Sequence, residues 1–470
     1  MSEGGENSSF LNDISDFDNN TFPINIMKST LVGIFCGVIS LLYYSILQLL
    51  LESLWKKLPT VIFSKMIKRI YIDENVFRAL WSMLVSLSCA IVCGSAQIYL
   101  GKPGDLNATI ECVHKDAYIP TESLTSLVIC SLATVVGAMS LGPEAPIVTI
   151  CGMFSGVLSR RWFQVRDTDS CRRYVLSGMA SGFSVFFGAP LGGSLFALEV
   201  IHRDGYEYFE HMIYAAWSGA ISAFISLSIS GRSFNGVWQF LSFGTCSIST
   251  VAYGGFFGLL GSFLAVLLGK LVKLLRNRVQ KSRLAENPVH LALLGALGNT
   301  LFGLVFPQTG FWGEMEIQRI IRLQNQNWNY YFPLQNSQTM DNLNPTFAYY
   351  VSLGCAKFLC IAIAMTSNYR GGFIFPVMFV GVCFGRAFSI AIPQLSVETA
   401  CLCCATGINV TLTRTVFGTP LVLAQLSNSM ESFPAVFVAS LVATCASHYY
   451  HFLPSQTSRS DMLKKIVLLY

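Results

Sequence analysis

Charge is scarce in this chain. Only 12% of its 470 residues are Asp, Glu, Lys or Arg, against about a quarter in soluble domains. That shortage excludes an ordinary soluble enzyme or binding module of this length. The net charge is only +5, and nothing clusters as a basic face, so no nucleic-acid partner is expected. Residues 1–25 lack the basic start and apolar middle of a cleavable signal peptide; they are acidic and Asn/Ser-rich. The 15 cysteines lie mostly within apolar stretches and form no disulfide framework. Cys401, Cys403 and Cys404 resemble a metal cluster only superficially and read as small apolar packing residues. Paired intramembrane aspartates, a Gly-x-Ser-Gly nucleophile motif and a metal-ligand helix are also missing. No enzyme chemistry, metal or cofactor is expected.

What the chain has instead is apolar length. It is 53% hydrophobic, and its apolar runs recur near the 20 residues that cross a bilayer core of about 30 Å. This predicts an all-α polytopic membrane protein with the lipid bilayer as its surroundings. Residues 1–27 read as a disordered cytosolic tail, 28–232 as a first membrane half, 245–460 as a second, and 461–470 as a short C-terminal tail. Long spans are expected at 30–55, 77–100, 122–141, 211–230, 251–275, 290–306 and 347–365, with shorter helices between. Residues 307–345 are polar and aromatic and read as an aqueous loop.

The strongest signal is a repeat of Gly/Pro interruptions. Phe187-Gly188-Ala189-Pro190-Leu191 and Phe417-Gly418-Thr419-Pro420-Leu421 match at four of five positions, 230 residues apart. Gly142-Pro143-Glu144-Ala145-Pro146 and Gly372-Phe373-Ile374-Phe375-Pro376 lie at the same offset. Prolines that merely kink transmembrane helices would not share an offset. Interrupted apolar segments at matching places in two halves point to a transporter site. A helix that begins inside the membrane leaves its first N–H groups unpaired, and its dipole adds about half a positive charge there. Several such starts converging make an anion site without a fixed cation. Glu144 is a lone acid in this setting, and a lone acid there requires a partner, a cavity or a job.

At these residues the chain resembles the CLC family of chloride channels and proton-coupled anion exchangers, from about Lys28 to Leu453. Gly142-Pro143-Glu144-Ala145-Pro146 is similar to the family's G-[KR]-E-G-P motif, Gly372-Phe373-Ile374-Phe375-Pro376 to its G-x-F-x-P motif, and Phe187 to Glu199 to the stretch that follows the glutamate. The resemblance implies two inverted-topology halves with broken, re-entrant helices, and a homodimer with one anion pathway per subunit. It places the gating role on Glu144, whose carboxylate would act as a tethered anion. It places anion binding on Gly142, Gly372 and the backbone N–H groups of Phe373 and Ile374.

Several positions depart from the family pattern. Its first anion motif, G-[SP]-G-I-P, meets Gly101-Lys102-Pro103-Gly104-Asp105 here. Matching the glycines puts Pro103 at the anion-contacting place, a shift by one puts Lys102 there, and a plain helix-capping turn is the alternative. The exchangers' inner glutamate directly follows the residue matching Glu199; here it is Val200, which carries no proton. The inner-gate tyrosine has no match after Pro454, and Tyr449 and Tyr450 precede it. Lys357, inside an apolar span, either tunes the potential along the pathway or is satisfied by snorkelling or pairing. The family's topology implies that Lys56, Lys57, Lys65, Lys68 and Arg69 face away from the cytosol, against the positive-inside rule, whereas the linker Arg276–Arg283 obeys it. The expectation is therefore passive, gated conduction of chloride or a similar small anion. The alternative is a CLC-type transporter exchanging chloride, nitrate or fluoride with protons.

Overall fold

The computed structural model describes residues 21–70, 73–202, 209–230, 247–322, 346–392 and 394–456. The expected tails at 1–20 and 461–470, the junction at 231–246 and most of the aqueous loop, 323–345, lie outside the described residues. The first half contains α1 (Phe22–Glu52), α2 (Leu58–Ile70), α3 (Glu74–Tyr99), α4 (Leu106–Asp116), α5 (Leu124–Val136), α6 (Glu144–Val157), α7 (Thr168–Phe187), α8 (Pro190–Ile201) and α9 (Met212–Ser230). The second contains α10 (Ile248–Gln280), α11 (Pro288–Val305), α12 (Glu314–Arg322), α13 (Phe347–Thr366), α14 (Ile374–Ala391), α15 (Val397–Thr413), α16 (Gly418–Leu426) and α17 (Phe433–Ala446). Among the described residues there is no strand, only an isolated bridge between Gly142 and Gly372.

Seven of the described helical segments are long and apolar enough to cross a membrane. Most bury under half of their central window, but α14 buries 78%. The outer helices therefore turn apolar side chains such as Leu84 and Phe263, 57% and 66% exposed, towards lipid. α14 is the core. Packing between helices follows small residues, because lipid offers no hydrophobic drive for helix association. A β-carbon on Gly33 or Gly37 of α1 would sit 2.7 or 3.0 Å from the Ser218 or Ser222 carbonyl of α9. Gly254 and Gly258 of α10 approach the Ala435 and Ala439 carbonyls of α17 in the same way, at 2.6 and 2.5 Å. Each half thus clasps its long first helix to its last through two small residues one turn apart.

Helix starts fall into two kinds. α3, α4, α7, α10 and α15 begin with a side-chain cap from Asp73, Asp105, Asp167, Ser247 and Ser396, which accepts an N–H of the first turn. α6, α14 and α16 begin after Pro143, Phe373 and Phe417, whose side chains cap nothing. Together with α8, which begins after Ala189 and is likewise uncapped, these are the starts in the Gly/Pro motifs, and their first N–H groups need partners from elsewhere.

The structure differs from the sequence expectations in places. α1 begins at Phe22, so residues 22–27 are helical rather than part of a disordered tail. The short helix α4 follows directly on the capping turn at Asp105. The expected aqueous loop contains the amphipathic helix α12, whose Glu316, Ile317, Ile320 and Ile321 are buried. Cys401, Cys403 and Cys404 are buried free thiols within α15.

Candidate functional site: a carboxylate on a mid-membrane helix start

The two Gly/Pro motifs meet. The Gly142 N–H donates to the Gly372 carbonyl at 2.8 Å, and the Gly372 N–H donates to the Gly142 carbonyl at 2.7 Å. Such a reciprocal pair is what an internal two-fold axis makes of equivalent residues. The bridge brings Glu144, the first residue of α6, to Ile374, the first residue of α14. Glu144 is fully buried, and its Oε1 accepts the Ile374 N–H at 2.9 Å, from 230 residues away. Its Oε2 is buried and has no hydrogen-bond partner among the described residues.

Both bridge residues must be glycine for this contact. A β-carbon at 372 would lie 2.1 Å from the Glu144 carboxyl carbon, and one at 142 would lie 2.0 Å from Oε2. The two glycines form the notch through which the side chain of Glu144 reaches the start of α14. Gly142, Gly372, Ile374 and Glu144 are thus brought together. Phe373 adjoins them, its ring 5.4 Å from Phe452 in an edge-on contact.

A second carboxylate repeats the arrangement. Glu199 of α8 is 4% exposed and accepts the Phe417 N–H at 3.0 Å and the Gly418 N–H at 2.7 Å. It closes the uncapped start of α16. The sequence flagged Glu199 only as a landmark. A contact spanning 218 residues leaves no local signal, although an acid in an apolar run was itself a pointer.

A cavity of about 610 Å³ lies beside the first carboxylate. Ala145 and Pro146 of α6 line it, with Gly371, Phe373, Asp105, Asn107, Tyr450 and Phe452. Lys270, Lys273 and Arg276 of α10 and Arg370, just before the second motif, supply positive charge. The chain after α17 covers this cavity and is firmly tied. Arg414 donates to the carbonyls of Ser447, His448 and Tyr450. The Asn107 side-chain oxygen accepts the Ser455 N–H at 2.9 Å. Gln456 donates to the carbonyls of Val200 and Thr413 at 2.7 and 2.8 Å.

Lys102, Pro103, Val200 and Lys357 lie outside the cavity lining. Lys102 is exposed, and Pro103 is buried with its carbonyl accepting Arg370 Nε at 2.9 Å. Gly104 and Asp105 reach the cavity in their place, with Asp105 capping α4 through the Ala108 N–H at 3.0 Å. Val200 is fully buried, with only its carbonyl engaged by Gln456. Lys357 is fully buried as well. Its ammonium donates to the carbonyls of Thr309 and Phe311 at 2.9 and 2.6 Å and lies 5.2 Å over the Phe379 ring. Tyr450 lines the cavity, whereas Tyr449 is 91% exposed. Arg370 and the α10 row were missed as site residues because each stands among ordinary linker or helix-end residues in sequence.

Known proteins resemble this chain in sequence and in fold. The H(+)/Cl(-) exchange transporter ClcA of Citrobacter koseri is 25% identical over 68% of this chain and 64% of its own length. A slow cyanobacterial Cl-/H+ antiporter superposes with a TM-score of 0.72 over 94% of this chain and 98% of the other, at 15% identity. A CLC-type fluoride/proton antiporter does so with a TM-score of 0.67 over 93% and 98%, at 16% identity. At such identities these structures speak for the fold alone, the multi-pass helical architecture with two interlocked halves. The sequence pattern of the family described as "Voltage gated chloride channel" matches residues 89–448, well over half of the chain with Glu144 and both bridge motifs inside it, and the chain belongs to that family, CLC.

Proposed function

We propose that this protein carries a small anion of the chloride class across the membrane in exchange for protons, along a pathway closed by Glu144. One observation carries the reading: the Glu144 carboxylate occupies the Ile374 N–H at the start of α14. That N–H is where an uncapped helix start would hold a free anion, so the side chain and the transported ion compete for one donor. Protonating Glu144 removes its advantage there and frees the donor. Anion occupancy and proton uptake are then linked in one residue, which is the minimal coupling an exchanger needs. The exchange activities in the names of the Citrobacter koseri relative and of the two antiporter structures support this reading over simple conduction.

Passive conduction is the second reading, and Val200 favours it. A buried valine carries no proton inward from the side of Gln456. In either case the chain acts as a transporter rather than an enzyme, and by the family's pattern as a homodimer. The mouth beside the Arg276–Arg283 linker is the cytosolic one under the positive-inside rule.

The deciding measurement is the reversal potential of reconstituted protein under a pH gradient at fixed chloride. Exchange moves the reversal potential with the pH gradient. A potential that follows chloride alone rules out exchange and leaves conduction. Comparing chloride, nitrate and fluoride in the same vesicles ranks the anions.

A further inference from the structure

The cavity is far larger than a single small anion requires. Its volume of about 610 Å³ is many times the roughly 10–15 Å³ that one water needs. A chloride there stays hydrated, and exposed charges act on it only weakly because salt screens them over about 10 Å. Yet the wall is strongly charged. Lys270, Lys273 and Arg276 recur every third residue on one side of α10, and Arg370 faces them from the start of the second motif. Asp105 is the single acidic residue of the lining among the described residues, and its carboxylate accepts the Ala108 N–H. Four cations against one acid leave three positive charges around one chamber. The α10 row spreads its charges along about 9 Å of helix axis. That spacing suits an extended anion with several charges better than a monatomic one.

Arg370 adds a second feature. Its Nε is fixed to the Pro103 carbonyl at 2.9 Å and its Nη1 to the Tyr369 carbonyl at 3.3 Å, so the guanidinium is held in place at the cavity wall. Arg and Lys together are the usual recognition set for phosphate oxygens, the first by planar paired donors and the second by point charge. We propose that this chamber is a binding site for a multiply charged phosphate group, and that its occupant plugs the pathway from the mouth beside Arg276. The site stands on the chamber's charge and size; only the plugging clause rests on the transport reading above. The occupant lies across the approach to Gly371 and Phe373, so it blocks access to the Ile374 N–H without touching Glu144.

The test uses the full chain purified in detergent, titrated calorimetrically with inorganic pyrophosphate at low salt. Saturable binding is expected, at least tenfold weaker in Lys270→Gln/Lys273→Gln and unchanged in Lys56→Gln/Lys57→Gln. Equal weakening in both double variants, or none in the first, overturns the site. A parallel arm replaces pyrophosphate with phosphatidylcholine vesicles with or without phosphatidylinositol bisphosphate. Binding to the phosphorylated vesicles alone identifies a lipid headgroup as the source, and binding of pyrophosphate identifies a free anion. Binding of neither overturns the proposal. In flux measurements, pyrophosphate is expected to inhibit from the linker side only. Inhibition from the other side, or none despite binding, overturns the plug. Absence of any anion flux overturns the transport reading and leaves the calorimetry to decide the site.

Discussion

In the first half, the start of α6 carries a carboxylate, Glu144; at the same place in the second half, Ile374 offers a backbone N–H, and the two are bonded to each other. The same contrast recurs two residues before the bridge. Ser140 turns its hydroxyl to the Thr309 carbonyl, while its counterpart Arg370 faces the cavity. The scaffold around these residues is repeated closely, down to the paired glycines that clasp α1 to α9 and α10 to α17. Shared packing and unshared side chains teach that the duplication supplies geometry. The chemistry comes from where the halves have diverged: an acid from one, donors and cations from the other.

Replacing the acid is the strongest way to break this comparison. Glu144→Gln keeps the shape and removes the charge, so both motifs become neutral. Anion flux is expected to persist, with its pH dependence reduced at least tenfold and proton movement abolished. Loss of all anion flux in a folded protein would make Glu144 structural rather than a gate. The next largest effect is expected at the bridge. Gly372→Ala forces the carboxylate out of its notch and should cost about 1–3 kcal/mol by overpacking. The double variant Gly372→Ala/Glu144→Ala should recover most of that loss in thermal unfolding, since the colliding groups are then gone. Two costs that simply add would show that the clash lies elsewhere.

Glu199 sharpens the comparison more quietly, being an acid of the first half that caps a start in the second. Glu199→Gln retains an oxygen for the Phe417 and Gly418 N–H groups and loses the charge. A stability decrease of about 1 kcal/mol is expected, with the pH dependence of flux unchanged. A flattened pH profile would instead place Glu199 on the proton route. The smallest effect belongs to Asn107→Ala, which frees the Ser455 N–H. It should cost about 1 kcal/mol and raise hydrogen exchange over residues 450–456 alone.

Much of this was legible in the sequence, for physical reasons that can be named. Span lengths follow from hydrophobicity, and the 230-residue offset survived because glycine and proline at mid-membrane starts tolerate few replacements. The place of Glu144 at the meeting of the two motifs was readable because an acid there has few alternatives. Helix α12 was hidden because its polar face matches that of a loop. The pairing of Glu199 with Phe417 was hidden because nothing local marks a long-range cap. Motif spacing left Pro103, Lys102 and a plain capping turn open, and the turn does cap α4 through Asp105 while Gly104 and Asp105 reach the cavity. The positive row on α10 read as the end of a long helix, since only the tertiary fold shows that Arg370 faces it.

The Gly142–Gly372 bridge has a mechanical consequence. Two amides and two carbonyls are satisfied only by each other, in a region where each unpaired group costs several kcal/mol. A cycle in which the halves rocked apart about the site would have to break both hydrogen bonds at every turn. The halves are stitched at the point where many transporters hinge. On the exchange reading, access alternates by small displacements of side chains and of the tied segment after α17, with the backbone of the two motifs standing still. Cross-linking the halves on either side of the bridge should leave turnover intact.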